Sequence, residues 1–321
     1  MSNTEKKIKD SIKTFEQIRS TISSVFYGQK KVVNEVMTSI LSSGNALLVG
    51  VPGLGKTLLF QTLSEILKLK PNRIQCTPDL MPSDILGVEI LSSKNTNEFK
   101  FIKGPIFCQL LMIDEINRAS PKTQSALLQA MQEGFVSVGG KNLPLPKPFI
   151  VLATQNPIEQ EGTYNLPEAQ LDRFSMNINI TYPDYEIEKE ILLQSKSNYL
   201  KKNTFDSNNL LKIIELVNLI PVGETVIRFI LELIRNLRPE STKFDFVKKF
   251  IKWGPGPRGG LALLNSAKSF SFIKGTLSPS IADVITMSEP CLRHRISLTF
   301  EAKTDQITSE HIINKVCENI D

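Results

Sequence analysis

Gly50-Val51-Pro52-Gly53-Leu54-Gly55-Lys56-Thr57 is the stretch on which the reading of this chain turns. It satisfies G-x-x-x-x-G-K-[ST] without a mismatch. Glycines allow a turn so tight that successive backbone N–H groups point at one anion. The helix expected to open at Lys56 adds its positive end to the same spot. The pattern places Lys56 against the β- and γ-phosphates of a nucleotide and the Thr57 hydroxyl against Mg²⁺. Gly50, Pro52, Gly53, Leu54, Gly55 and Leu58 belong to the same expected cradle for ATP or ADP. The apolar run Asn45 to Val49 reads as the strand that must lead into such a loop.

Downstream, Leu110-Leu111-Met112-Ile113-Asp114-Glu115 ends a buried strand with two adjacent carboxylates. Acids at the end of an apolar strand are costly unless a cation lies nearby. Paired with the glycine-rich loop, Asp114 is expected to orient the magnesium shell and Glu115 to polarise an attacking water. A third strand, Phe149 to Ala153, leads through Thr154-Gln155 to Asn156. The Asn156 amide is placed to position that water, although an asparagine following a strand is also an ordinary turn residue.

Strands are expected at Asn45–Val49, Arg73–Cys76, Leu110–Ile113, Phe149–Ala153 and Met176–Ile180. Helices follow the first at Lys56–Leu69 and the third at Ser120–Gly134, the latter opened by a cap residue and a proline. That alternation predicts a parallel sheet covered by helices on both faces. Before it, Ile12, Phe15, Ile18 and Ile22, then Val32, Val33 and Val36, recur at helical spacing across a break at Tyr27-Gly28-Gln29. After Tyr182-Pro183-Asp184 the strand signal stops, and helices are expected at 187–200, 208–219, 226–237 and beyond Gly260. The expected division is residues 1–183 for the N-terminal helices and α/β core, and 184–321 for a smaller all-helical lid. Two stretches interrupt the pattern, Leu86–Phe107 and Phe135–Pro148. The first reads as a hairpin or a loop insert and the second as a hairpin with Gly139-Gly140 in the middle; each is a working surface or a plain connection.

Composition narrows the classes. The 321 residues, 41% hydrophobic and 22% charged, suit compact globular packing. The net charge of +5 is spread along the chain, so it gives no footprint for nucleic acid. The four cysteines form no C-x-x-C pair and there are two histidines, His294 and His311, which speaks against zinc and against a disulfide framework. Neither a signal peptide nor a run of about 18 apolar residues is present, so a cytoplasmic place without membrane insertion is expected.

These motifs carry a resemblance. Asp114-Glu115-Ile116-Asn117-Arg118-Ala119, Lys122–Gly134, Ala153–Tyr164, Leu166–Phe174 and Leu292-Arg293-His294-Arg295-Ile296 resemble the MoxR family of AAA+ ATPases. The resemblance implies a P-loop NTPase core with a five-stranded parallel sheet, a helical lid, and a homohexameric ring with ATP at each junction. Arg173 would be an arginine finger reaching the neighbour's site; on residues alone it is an arginine paired with Asp172 or Glu168. Arg258, in Gly254-Pro255-Gly256-Pro257-Arg258, matches a second-sensor arginine touching the γ-phosphate, although Gly256 stands where the family usually has serine. Tyr27, Gly28 and Gln29 align with a segment lying against adenine. Arg118 acts across the junction or is a capping charge. The two hairpins fall where the clade carries a helix-2 insert and a pre-sensor-1 hairpin. The partner implied is a protein client, typically one with a von Willebrand factor A domain, remodelled by a chaperone-like motor. A magnesium-chelatase-like motor subunit and a nucleic-acid-associated ATPase are the alternative readings.

Overall fold

The structure, a computed structural model, describes residues 3–26, 28–91, 99–158, 161–193 and 207–320. Five strands form one sheet: β1 (Ala46–Val49), β2 (Pro71–Gln75), β3 (Leu110–Asp114), β4 (Ile150–Gln155) and β5 (Met176–Asn179). Their order is β2-β3-β4-β1-β5 and every pairing is parallel. The expected strands are therefore all present. Each connection crosses over, which is why β1 and β3, 60 residues apart in sequence terms, bring their C-terminal ends to one edge.

Side chains alternate across a strand, so the sheet has two faces and two apolar clusters. Leu48, Met112, Leu152 and Ile178 point into one cluster; Leu47, Ile113 and Ala153 point into the other. The second is closed by α4 (Pro121–Glu133), whose Ser120 cap accepts from the Thr123 N–H. The first is closed by α1 (Asn3–Val25), α2 (Lys30–Leu41) and α3 (Lys56–Ile66). Phe15, Ile18 and Ile22 of α1 are buried, as their spacing requires.

The C-terminal part adds α5 (Tyr185–Leu193), α6 (Ser207–Asn218), α7 (Glu224–Asn236), α8 (Pro257–Ile273), α9 (Ile281–Leu292) and α10 (Ser309–Glu318). The expectation of a helix to residue 200 is met as far as Leu193; 194–206 lie outside the described residues. The lid's apolar residues join the cluster of α1 and α2, so core and lid share one interior. Phe15 of α1 and Phe272 of α8 meet edge to face, ring centroids 5.8 Å apart. One detail departs from an all-helical lid: Ile251–Trp253 pairs antiparallel with Ser297–Leu298. Strands of three and two residues are too short to leave an alternating pattern, and only folding brings them together.

Both interruptions are hairpins. Phe135–Val138 pairs with Lys141–Pro144 across Gly139-Gly140, both glycines with positive φ as such a two-residue turn demands. Gly87–Leu91 pairs with Phe99–Lys103; the tip, with Ser92 to Asn95, lies outside the described residues. This second ribbon leaves Val88, Ile90, Leu91, Phe99 and Ile102 exposed, Phe99 at 69%. No helix among the described residues is long and apolar enough to cross a membrane.

Candidate functional site

The loop between β1 and α3 forms one wall of a cavity of about 430 Å³. Gly53 and Gly55 hold positive φ, and nothing lies within 4 Å of where a Cβ at Gly53 would be. At Gly53 the backbone itself therefore faces the open space, as close approach to a phosphate requires. Lys56 Nζ donates to the carbonyls of Gly50 and Val51. Burial pulls its ammonium below the usual lysine value, against the opposing pull of Asp114 and Glu115. A phosphate entering the cavity would offer that ammonium charged acceptors in place of two neutral ones.

The opposite wall comes from the ends of β2, β3 and β4. Asp114 is buried, and the cation its position called for is Arg73, whose Nε donates to Asp114 Oδ2 at 2.6 Å. The Thr154 hydroxyl donates to Asp114 Oδ1 at 3.2 Å and accepts the Glu115 N–H at 2.9 Å. Glu115 stands in the left-handed region, φ 54°, a conformation that costs a β-carbon residue about 1–2 kcal/mol. That turn makes two adjacent carboxylates diverge: Asp114 stays inside, and Glu115 accepts from Gln75 Nε2 at 2.9 Å and from Arg118 at 3.1 Å. Both donors hold the same oxygen, Oε2, so the other oxygen of the carboxylate is left to order a water. Asn156 is buried and lines the same cavity. Its Oδ1 accepts the Ile158 N–H at 3.2 Å, so it is a turn residue and a cavity residue at once, with its amide nitrogen left as the donor.

The cavity thus unites Pro52, Gly53, Gly55, Lys56, Thr57, Asp114, Glu115 and Asn156 from the sequence reading. It adds Arg73, Gln75 and Thr154, which that reading missed. The signal available for two of them was slight, an arginine and a glutamine at i and i+2 near the end of a short strand. Gly50 contributes its carbonyl to Lys56; Leu54 is buried and Leu58 is exposed on α3, and none of the three lines the cavity. Tyr27 lies outside the described residues. Gly28, φ 72°, abuts Ile187 of α5, and Gln29 Oε1 is buried without a hydrogen-bond partner among the described residues. Arg118 belongs to this site through Glu115.

Arg173 and Arg258 are elsewhere. They line a second cavity of about 280 Å³ with Gly44, Asn45, Gln132, Asp172, Ser175 and Arg295. Gly44 and Asn45 precede β1, whereas the phosphate loop follows it, so the two cavities sit at opposite ends of that strand. Five residues at about 3.3 Å each separate them by roughly 15 Å. The expectation that Arg258 touches the γ-phosphate is therefore not met within the chain. Helix α8 is packed against α2, α7 and α9, and that packing aims its first turn at Asp172, 3.6 Å from the Arg258 guanidinium. Among the described residues Arg173 pairs with neither Asp172 nor Glu168; its guanidinium donates to Gln132 Oε1 at 2.6 Å and to the Leu128 carbonyl, while its buried Nε has no partner among them.

A glycine-rich phosphate cradle at the carboxyl edge of a β2-β3-β4-β1-β5 sheet, faced by an Asp-Glu pair and an asparagine, defines a P-loop ATPase of the AAA+ class. The family model described as ATPase family associated with various cellular activities (AAA) matches residues 45–176, and one described as AAA lid domain matches 245–316. Chaperone MoxR1 of Mycobacterium tuberculosis is 38% identical over 311 residues, 96% of this chain and 82% of that protein. The uncharacterized protein YeaC of Bacillus subtilis is 36% identical over 92% of this chain and 90% of its own. A crystal structure of a protein assigned as an ATPase from Cytophaga hutchinsonii superposes with a TM-score of 0.90 at 36% identity, covering 99% of this chain and 97% of that one. The chain belongs to the MoxR family of AAA+ ATPases.

Proposed function

We propose that this ATPase works as a ring whose active sites are shared between subunits, and that hydrolysis drives remodelling of a protein client. The carrying observation is the separation of Arg173 from the phosphate loop by the length of β1. An arginine that far from its own nucleotide serves hydrolysis only in a neighbour's site, where a guanidinium stabilises charge on the transferring phosphoryl group. Among the described residues the buried Nε of Arg173 has no partner, so swinging this guanidinium toward a neighbour's anion gives up no bond at that atom. Arg258 shares the cavity and goes to the neighbour with it.

Within each site Lys56 neutralises the phosphates, Asn156 donates to the attacking water and Glu115, with Gln75 and Arg118 holding its Oε2, polarises that water through Oε1. Thr57 and Asp114 would hold magnesium: a hydroxyl and a carboxylate beside the phosphate cradle are the sparse donor set that this cation takes together with phosphates and water. When bound it supplies neutralisation of the β- and γ-oxygens. The client reading rests on the exposed ribbon of Val88, Ile90, Leu91, Phe99 and Ile102, an apolar surface that a chain without a partner has little reason to show. The chaperone named among the relatives points the same way. A hexamer, a client with a von Willebrand factor A domain and a cytoplasmic place complete the proposal. The four buried thiols, each pushed up to about 11 or 12 by burial, are inert interior groups and fit that compartment.

The test is the ATPase rate per chain against protein concentration, for the parent, Glu115→Gln and Arg173→Ala. The rate is expected to rise with concentration and both variants to lose turnover by orders of magnitude while still binding ATP. A flat rate with an unaffected Arg173→Ala would refute the shared site.

A further inference from the structure

Just after α9 the lid carries a device that grips the loop carrying Arg173. Arg295 is 2% exposed, and its guanidinium is saturated. Nε donates to Asp172 Oδ1 at 2.8 Å, one terminal nitrogen to the carbonyls of Asp172 (3.1 Å) and Phe174 (2.7 Å), the other to the carbonyls of Ser175 (3.2 Å) and Cys291. A guanidinium has five N–H groups, and each has an acceptor. Four of those acceptors belong to residues 172–175, the segment that contains Arg173 and leads into β5. Beside it, His294 Nε2 lies 3.0 Å from the Phe174 carbonyl. A carbonyl only accepts, so Nε2 carries the hydrogen; burial and the Arg295 charge keep this imidazole neutral.

Asp172 joins the two arginines of the lid to this segment. One carboxylate oxygen takes the Arg295 Nε, and the other faces the Arg258 guanidinium at 3.6 Å. Packing does not require such a charge so far inside, and burying a guanidinium demands compensation by full hydrogen bonding. The structure supplies that compensation almost wholly from the arginine-bearing segment, so what the ion pair orders is the direction of Arg173 and Arg258.

We propose that Arg295, through Asp172 and the 172–175 backbone, is a positioning residue for the junction: it sets Arg173 and Arg258 as one unit facing the neighbour's nucleotide and ties that unit to the lid. The inference rests on the reading that Arg173 acts across a junction. Its consequence is specific. Arg295 affects hydrolysis in the next subunit's site and leaves its own subunit's phosphate cradle intact.

The test is subunit mixing, read as Mg·ATP turnover, with full-length Arg295→Lys, Arg173→Ala and Lys56→Ala chains. Alone, Arg295→Lys is expected to lose at least tenfold in kcat with little change in KM for ATP, the pattern of an interaction made only at the transition state. Mixed one to one with Lys56→Ala, turnover should return to about a quarter of the parent's, because that share of junctions pairs an intact finger with an intact cradle in a head-to-tail ring. Mixed with Arg173→Ala it should show no recovery above Arg295→Lys alone, since both chains are deficient on the same side. Asp172→Asn, a partly exposed position that keeps its shape, should fall in the same group and carries the test where Arg295→Lys folds poorly. Recovery of Arg295→Lys with both partners, or with neither while Arg173→Ala plus Lys56→Ala recovers, would overturn the positioning role. Failure of that control pair would instead overturn the trans reading, and this inference with it.

Discussion

Replacing Glu35 by glutamine should stabilise the protein at neutral pH and flatten its stability below it. Glu35 lies on α2, buried at 2% exposure where α2 meets the lid, and its Oε1 has no hydrogen-bond partner among the described residues. Burial raises its carboxyl from the ordinary 4.5 to about 7, with Lys31 and Arg293 opposing that shift and Glu289 adding to it. Cys291, on α9, is the remaining titratable neighbour and stays a neutral thiol. A carboxyl whose folded pKa is raised binds a proton in the native state that the unfolded chain has already released. Stability from this group is whole below pH 4.5 and falls as pH rises to about 7, above which the full cost stands. The gap of about 2.5 in pKa, at about 1.4 kcal/mol each, sets an upper figure of roughly 3.5 kcal/mol. Urea melts of parent and Glu35→Gln at pH 5, 6, 7 and 8 read it directly. The two should agree near pH 5, and the variant should lead by about 1–3 kcal/mol at pH 8. A difference that does not change with pH would refute the reasoning, because the effect would then lie in packing and not in the buried charge.

Three further changes follow from particular contacts. Thr154→Val should leave nucleotide affinity close to the parent's, by titration calorimetry, yet cut kcat at least tenfold, because the Glu115 N–H and Asp114 Oδ1 both lose their partner. Gly256 caps α8 with ordinary φ (−82°), no side-chain hydrogen bond and nothing within 4 Å of a Cβ. Gly256→Ser should therefore add a cap worth only about a few tenths of a kcal/mol, visible as a slightly higher Tm with unchanged ATPase. Phe272→Ala removes a fully buried ring that α1 packs against and should cost about 3–5 kcal/mol in urea melts, without altering ATPase below the transition.

The local chemistry was legible because it is local. The phosphate loop is eight consecutive residues whose spacing is itself the mechanism, and Asp114-Glu115 follows a strand whose apolar run declares its burial. Parallel order was legible from alternating strands and helices, and the hairpin at Phe135–Pro148 from Gly139-Gly140, whereas Gly87 and Gly104 left the other stretch open between a hairpin and a loop insert. What the sequence could not supply were contacts that exist only through strand pairing. Arg73 reaches Asp114 because β2 lies beside β3, 41 residues away in the chain. Thr154 reaches both acids because β4 lies on the other side. Arg258 matched a sensor by its motif, yet tertiary packing put it with Arg173 at the far end of β1. A motif specifies which groups are present and how neighbours along the chain are spaced; which end of the sheet a distant helix delivers its guanidinium to is decided by how apolar faces pack, and those carry no address in a short pattern.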